Sequence, residues 1–315
     1  MSYFMSLNPL SLFRAMPGSI AQGMIWGVMA LGVYITFRLL DFADLTVDGS
    51  IATGAAVSVM LIRAGVSPIA TLPIAFLAGA LAGMVTGLLN TALGIPGILA
   101  SILTQISLYS INLNIMGKAN QPVSVDNYPL VVSLRYVTDG SVSRLLFFLG
   151  MIVFLLALIA VMYWYFGTEQ GHAIRATGCN SNMARAQGIN TNFIKVLALM
   201  ISNGLVGLCG ALYGQFQGAS DVNMGRGAIV IGLAAIVIGD VLMGRLRSFY
   251  SRLTSAVVGS IVYFLIRAIV LQLGMDANDM KLLSAVIVAL ALCVPVAINK
   301  YRAKRMYTEG GDENA

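Results

Sequence analysis

Again and again along this 315-residue chain, apolar residues run for about 20 positions with almost no charge between them. At 1.5 Å per residue such a run crosses a hydrocarbon core of roughly 30 Å as a helix, and it is twice as long as a barrel strand requires. Backbone N–H and C=O groups in lipid have no water to bond, so each run must satisfy them within itself. The composition agrees: 58% of residues are hydrophobic and only 10% charged, whereas a soluble domain is about a quarter charged. The expected fold class is an all-α, polytopic membrane helical bundle.

The runs fall at 19–36, 45–61, 68–89, 96–116, 145–166, 193–215, 228–243, 253–273 and 282–298, about nine crossings in all. The second is the weakest, because Asp41, Asp44 and Asp48 crowd its start and Gly49 and Gly54 loosen it. It is expected to be broken or re-entrant and to lie beside a polar path, since irregular backbone at membrane depth survives only against protein or a water-filled cavity. Residues 1–18 form an N-terminal segment, 19–298 the membrane domain and 299–315 a tail that turns from basic to acidic. If the polar loop 167–190 is cytosolic, then Arg245, Arg247, Arg252, Lys300, Arg302, Lys304 and Arg305 share its side, and the C-terminus is inside by the positive-inside rule.

Several functions are disfavoured by what the residues lack. The net charge of +6 is scattered among loop ends, which sets topology and forms no nucleic-acid-binding face. Cys179, Cys209 and Cys293 have no metal-ligand spacing, so neither a metal site nor a disulfide framework is expected. The single histidine, His172, has no acid or base partner at helical spacing, and Gly117-Lys118 lacks the upstream glycine and following hydroxyl of a phosphate loop. The chain is not expected to be an enzyme or to hold a cofactor.

Within the spans two kinds of residue stand out. Gly79, Gly83 and Gly87 recur every four residues in the third run, and Gly204, Gly207, Gly210 and Gly214 repeat the device in the sixth; such stripes let helix backbones approach closely in lipid. Polar groups at depth are candidates for a solute path, foremost Asp48 and Gln105, followed by Thr104 and Asn203. Ser107, Asn112 and Gln215 are further polar positions, while Asp240 and Arg267 lie close enough to span ends to snorkel.

The 167–190 loop, GTEQGHAIRATGCNSNMARAQGIN, is far longer than the roughly 2–8 residues that join packed helices. Asn180 or Ser181 can cap a short helix over 181–187, Gly188 can close it in a left-handed turn, and Asn190 or Thr191 can cap the next span. The expected object is a stubby helix on the cytosolic surface, presenting Ala184 and Ala186 to a soluble partner, with Arg185 free for an acidic group.

These residues carry a family resemblance. G-H-A-I-R-A-T-G-C-N-S-N-M-A-R-A-Q-G-I-N resembles the cytosolic coupling loop of ATP-binding-cassette importer permeases of the branched-chain amino acid and ribose type, with Gly171, Ala173, Arg175, Ala176, Asn180, Ala184, Gly188 and Ile189 on the pattern. Leu40-Asp41-Phe42-Ala43 with Gly49 and Gly54 is similar to the family's N-F-A-x-G segment, aspartate replacing asparagine, and Gly94-Ile95-Pro96 is similar to the lead-in to its fourth span. The resemblance implies a permease in the bacterial inner membrane that forms the path with a second permease chain, expected to be identical to it. It further implies two cytosolic ATPase subunits that bind ATP and Mg, and an extracytoplasmic binding protein that delivers a small polar solute. An amino acid is the expected solute, a sugar the alternative; an ion-coupled secondary transporter is the reading from another class.

Overall fold

The computed structural model describes residues 9–125, 127–138, 143–244 and 248–272, with isolated positions beyond 272. Its elements in chain order are α1 (Pro9–Tyr34), a π-helical turn (Ile35–Leu39), α2 (Thr46–Arg63), α3 (Pro68–Thr91), α4 (Gly97–Met116), β1 (Asn120–Pro122), α5 (Leu134–Thr138) and α6 (Ser143–Phe166). They continue with α7 (Glu169–Cys179), α8 (Ser181–Ala186), α9 (Thr191–Gln217), β2 (Ala219–Asp221), α10 (Ala228–Met243) and α11 (Phe249–Gln272). Among the described residues the bundle is all-α apart from one small ribbon, in which β1 and β2 pair antiparallel with Gln121 opposite Ser220. Among the described residues six helices are long and apolar enough to cross a membrane, and α10 is a shorter apolar helix. The described residues do not confirm the expected count of about nine; the run at 282–298 lies outside them except for isolated positions.

The bundle is organised around α9, whose residues 202–216 are all buried. In lipid no hydrophobic effect drives helices together, so packing must come from close backbone contact and interhelical hydrogen bonds. The glycines permit that contact: a Cβ on Gly79 would sit 2.2 Å from the Asn203 carbonyl oxygen, and one on Gly83 2.2 Å from that of Leu199. On the other flank, a Cβ on Gly210 would meet the Ile51 carbonyl at 2.0 Å. These contacts also fix direction. Gly87 lies beside Val196 and Gly79 beside Gly207, so α3 runs antiparallel to α9, whereas Ile51 meets Gly210 and Ala55 meets Gly214, so α2 runs parallel to it. Gly23 beside Ile261 and Gly27 beside Val257 set α1 antiparallel to α11. One end of the bundle thus carries α7 and α8, the other the β ribbon.

Polar side chains join the same helices. Asn203 donates to Asp44 at 2.6 Å and accepts from Ser50 at 2.7 Å. Thr46, Thr86 and Thr104 form a second chain at 2.7 and 2.9 Å, and Gln215 reaches Ser58 and Thr71 to form a third. Each of these side chains gains a partner that it could not find in hydrocarbon.

The expectation of a broken second span needs correction. Helix α2 is unbroken over its 18 residues. What is irregular is the chain before it, residues 40–45, which climbs from Leu39, packed on Gly178 of α7, to Asp44, bonded to Asn203. Asn203 is near the midpoint of the 27-residue α9, a helix about 40 Å long. Helix α2 therefore begins near mid-bundle and runs only toward the ribbon end. Its missing half is replaced by irregular backbone in which Leu40 and Asp44 are buried while Asp41 and Ala43 are exposed.

Candidate functional site

At the α7–α8 end, each turn of the 167–190 segment has a local cause. Thr168 caps α7 by accepting from the Gly171 N–H, and the Asn180 side chain caps α8 by accepting from the N–H groups of Asn182 and Met183 at 3.1 and 3.0 Å. Gly188, at φ +83°, ends α8 in a left-handed turn that lets the Ile189 N–H bond the Ala184 carbonyl at 3.1 Å. Asn190 then caps α9 through the Phe193 N–H. The short helix over 181–186 forms as its caps require; α7 before it is a full helix that its polarity had hidden.

The segment has an inner and an outer face. Gly171 is pressed on Phe166, where a Cβ would come within 2.3 Å of backbone, and Gly178 is pressed on Leu39, where a Cβ would lie 1.9 Å from the carbonyl oxygen. Arg175 stacks its guanidinium on Phe249 at 4.1 Å, with Phe166 at 5.8 Å, so it fastens α7 to α6 and α11. Ala184 is buried. That corrects the expectation that α8 presents Ala184: the exposed face is Met183, Arg185 and Ala186, with Ala176, Asn180 and Gly188 beside it. Arg185 is exposed but donates to Thr191 at 3.2 Å, while Ala173 and Ile189 are partly covered.

Next to this segment is a cleft of about 350 Å³ lined by Asp41, Phe42, Thr177, Asn180, Ser181 and Lys195. Asp41 is the one non-glycine described residue with positive φ, +52°. Behind it Arg38 pairs with Asp240, joining the end of α1 to α10.

A second cavity, of about 240 Å³, opens between α2, α4 and the segment leading into α10. Its walls include Asp48, Gln105, Tyr109, Ser110, Asn112 and Arg226. Asp48 also caps α10, accepting from the Gly227 N–H at 2.8 Å and the Ile229 N–H at 3.0 Å. A carboxylate there complements the positive end of the helix dipole. Thr104 and Asn203 do not line this cavity; both are buried in the interhelical networks. Sequence reasoning passed over Arg226 because it lies in a connection, and Asp44 because nothing local announces its partner Asn203, 159 residues away.

The model of the family described as branched-chain amino acid transport system / permease component matches residues 16–294. The chain belongs to that permease family. The permease is 38% identical over 288 residues to the tyrosine transport system permease protein of Clostridioides difficile, covering 90% of this chain and 94% of the relative. It is 29% identical over 218 residues to the autoinducer 2 import system permease protein of Yersinia pseudotuberculosis, covering 68% of this chain and 58% of the relative. With the ribose import permease protein of Escherichia coli it shares 23% over 278 residues, 87% of this chain and 83% of the relative. No solved structure matches the permease.

Proposed function

We propose that this permease is the membrane subunit of an ATP-driven importer of an amino acid, with aromatic amino acids such as tyrosine foremost. The observation that carries the substrate class is the 38% identity, over nearly the whole of both chains, to a tyrosine transport permease; the ribose permease is more distant at 23%. The end with α7 and α8 faces the cytosol, where each of two ATPase subunits grips the outer face of one coupling segment. ATP and Mg belong to those subunits. An extracytoplasmic binding protein docks at the ribbon end, two identical permease chains enclose the path, and the C-terminus is cytosolic. The permease domain spans 19–298.

The division of the coupling segment into two faces supports a lever. Met183, 63% exposed, offers a partner an apolar contact, while Gly171, Arg175 and Gly178 fasten the segment to α6, α11 and the end of α1. Movement of the ATPase is thereby passed from Gly178 to Leu39 and, through residues 40–45, to α2, which forms one wall of the cavity. Asp48 and Gln105 line the path, and Thr104 and Asn203 bind its helices together.

Reconstitution with the ATPase and binding protein tests this reading. Uptake of labelled L-tyrosine should require ATP on the ATPase side and persist when proton and sodium gradients are collapsed. Uptake of ribose but of no amino acid, or uptake that stops with the gradients, refutes it.

A further inference from the structure

The cavity between α2 and α4 holds an arrangement that helix packing does not explain. Asn112 is 0% exposed, lines the cavity, and has neither its amide nitrogen nor its amide oxygen hydrogen-bonded. Buried polar groups in folded proteins are nearly always paired, so a side chain with both ends unspent points to a missing partner. Around it stand further unspent groups. Arg226 is exposed on the cavity wall, and among the described residues the ion pair is Arg38 with Asp240, not one involving Arg226. Asp48 uses its two oxygens on α10, yet an ionised carboxylate offers about four acceptor positions.

We propose that this cavity is a subsite for the charged headgroup of an α-amino acid, Asp48 and the Asn112 oxygen taking the ammonium, Arg226 and the Asn112 nitrogen the carboxylate. The inference rests on the amino-acid reading above. A zwitterion in a poorly solvated cleft must have both charges paired. A neutral sugar offers no charge to the free acceptor positions of Asp48 or to Arg226, a simple carboxylate would face Asp48, and a simple amine would face Arg226. Size sets a limit on what enters. At about 240 Å³ the cavity has room for the order of eight waters, enough for the headgroup and first carbons. The solute's side chain leaves past Ile106, Tyr109 and Ser110, on the exposed face of α4. The subsite thus reads what all amino acids share and leaves the variable part to other surfaces.

The test is L-tyrosine uptake by the full complex reconstituted with its ATPase and binding protein, for Asn112→Leu, Arg226→Gln and Arg226→Lys. Uptake should fall about tenfold or more for Asn112→Leu and Arg226→Gln, and less for Arg226→Lys. The ATP hydrolysed per tyrosine moved should rise by a similar factor, a readout that loss of folded complex alone does not shift. Because Arg226 is exposed, its variants test the proposal even if Asn112→Leu fails to assemble. Assembled variants that carry tyrosine at the wild-type rate and coupling ratio overturn the subsite and leave the amino-acid reading standing. A wild-type complex that moves ribose and no amino acid overturns both.

Discussion

Replacing Gly178 by alanine should disconnect the coupling segment from the bundle without unfolding either. A Cβ at this position would lie 1.9 Å from the Leu39 carbonyl oxygen and 2.9 Å from the Leu40 Cα, both backbone atoms that cannot rotate away. Restoring an ordinary contact of about 3.5 Å requires α7 to retreat by roughly 1.6 Å. Overpacking of this kind costs about 1–3 kcal/mol, and the gain of about 0.8–1 kcal/mol from alanine's better helix propensity offsets part of it. A net cost of up to about 2 kcal/mol falls on one seated contact and shifts its population by a factor of up to about 30. In reconstituted vesicles, solute moved per ATP hydrolysed should drop by about that factor while the ATPase still co-purifies. Gly150→Ala on α6 is the control, since a Cβ there meets nothing within 4 Å; it should leave transport unchanged. If Gly178→Ala transports with a wild-type coupling ratio, α7 does not act through the end of α1 and the lever is wrong.

Other perturbations separate seating, surface and core. Arg175→Ala removes the stack on Phe249 at 4.1 Å and should lower the thermal stability of the purified permease by about 1–2 kcal/mol, with Arg175→Lys recovering part of it. Met183→Glu puts a charge on the outer face of α8 and should weaken co-purification with the ATPase without changing the melting temperature; unaltered pairing would move the docking face elsewhere. Asn203→Leu strips partners from Asp44 and Ser50 at once and should destabilise the fold by about 2–3 kcal/mol, because it leaves the buried Asp44 carboxyl with the Thr46 N–H but without its amide donor. Gly188→Ala forces a Cβ into φ +83° and should cost about 1 kcal/mol, seen as faster proteolysis at the α8–α9 junction.

Much of the fold was readable from run length alone, since a 20-residue apolar stretch has few stable forms in lipid. The caps of α8 and α9 were equally plain, because Asn180, Gly188 and Asn190 act on neighbours two to four residues away. What escaped the sequence depends on distant partners. Helix α7 is polar and gave no apolar period, and the side of α8 that Ala184 occupies is decided by the packing beneath it. Arg175 looked like a contact for another protein until Phe249, 74 positions later, arrived under its guanidinium. The starting level of α2 was hidden for the same reason: Asp44 gains its depth from Asn203, on a helix that enters the bundle much later.

The π-helical turn at Ile35–Leu39 gives the junction with the coupling segment an angular register. A wide turn accommodates a residue more than an α-helical one, and each residue of an α-helix advances the chain by about 100°. Arg38 pairs with Asp240, and the Leu39 carbonyl packs on Gly178, from the last two residues of this turn. Deleting one residue from this turn would swing both contacts to another side of α1 while leaving the apolar character of the segment intact. Its length is consequently under tighter constraint than its composition, and a family member that shortened it would have to rebuild the seat of α7 as well.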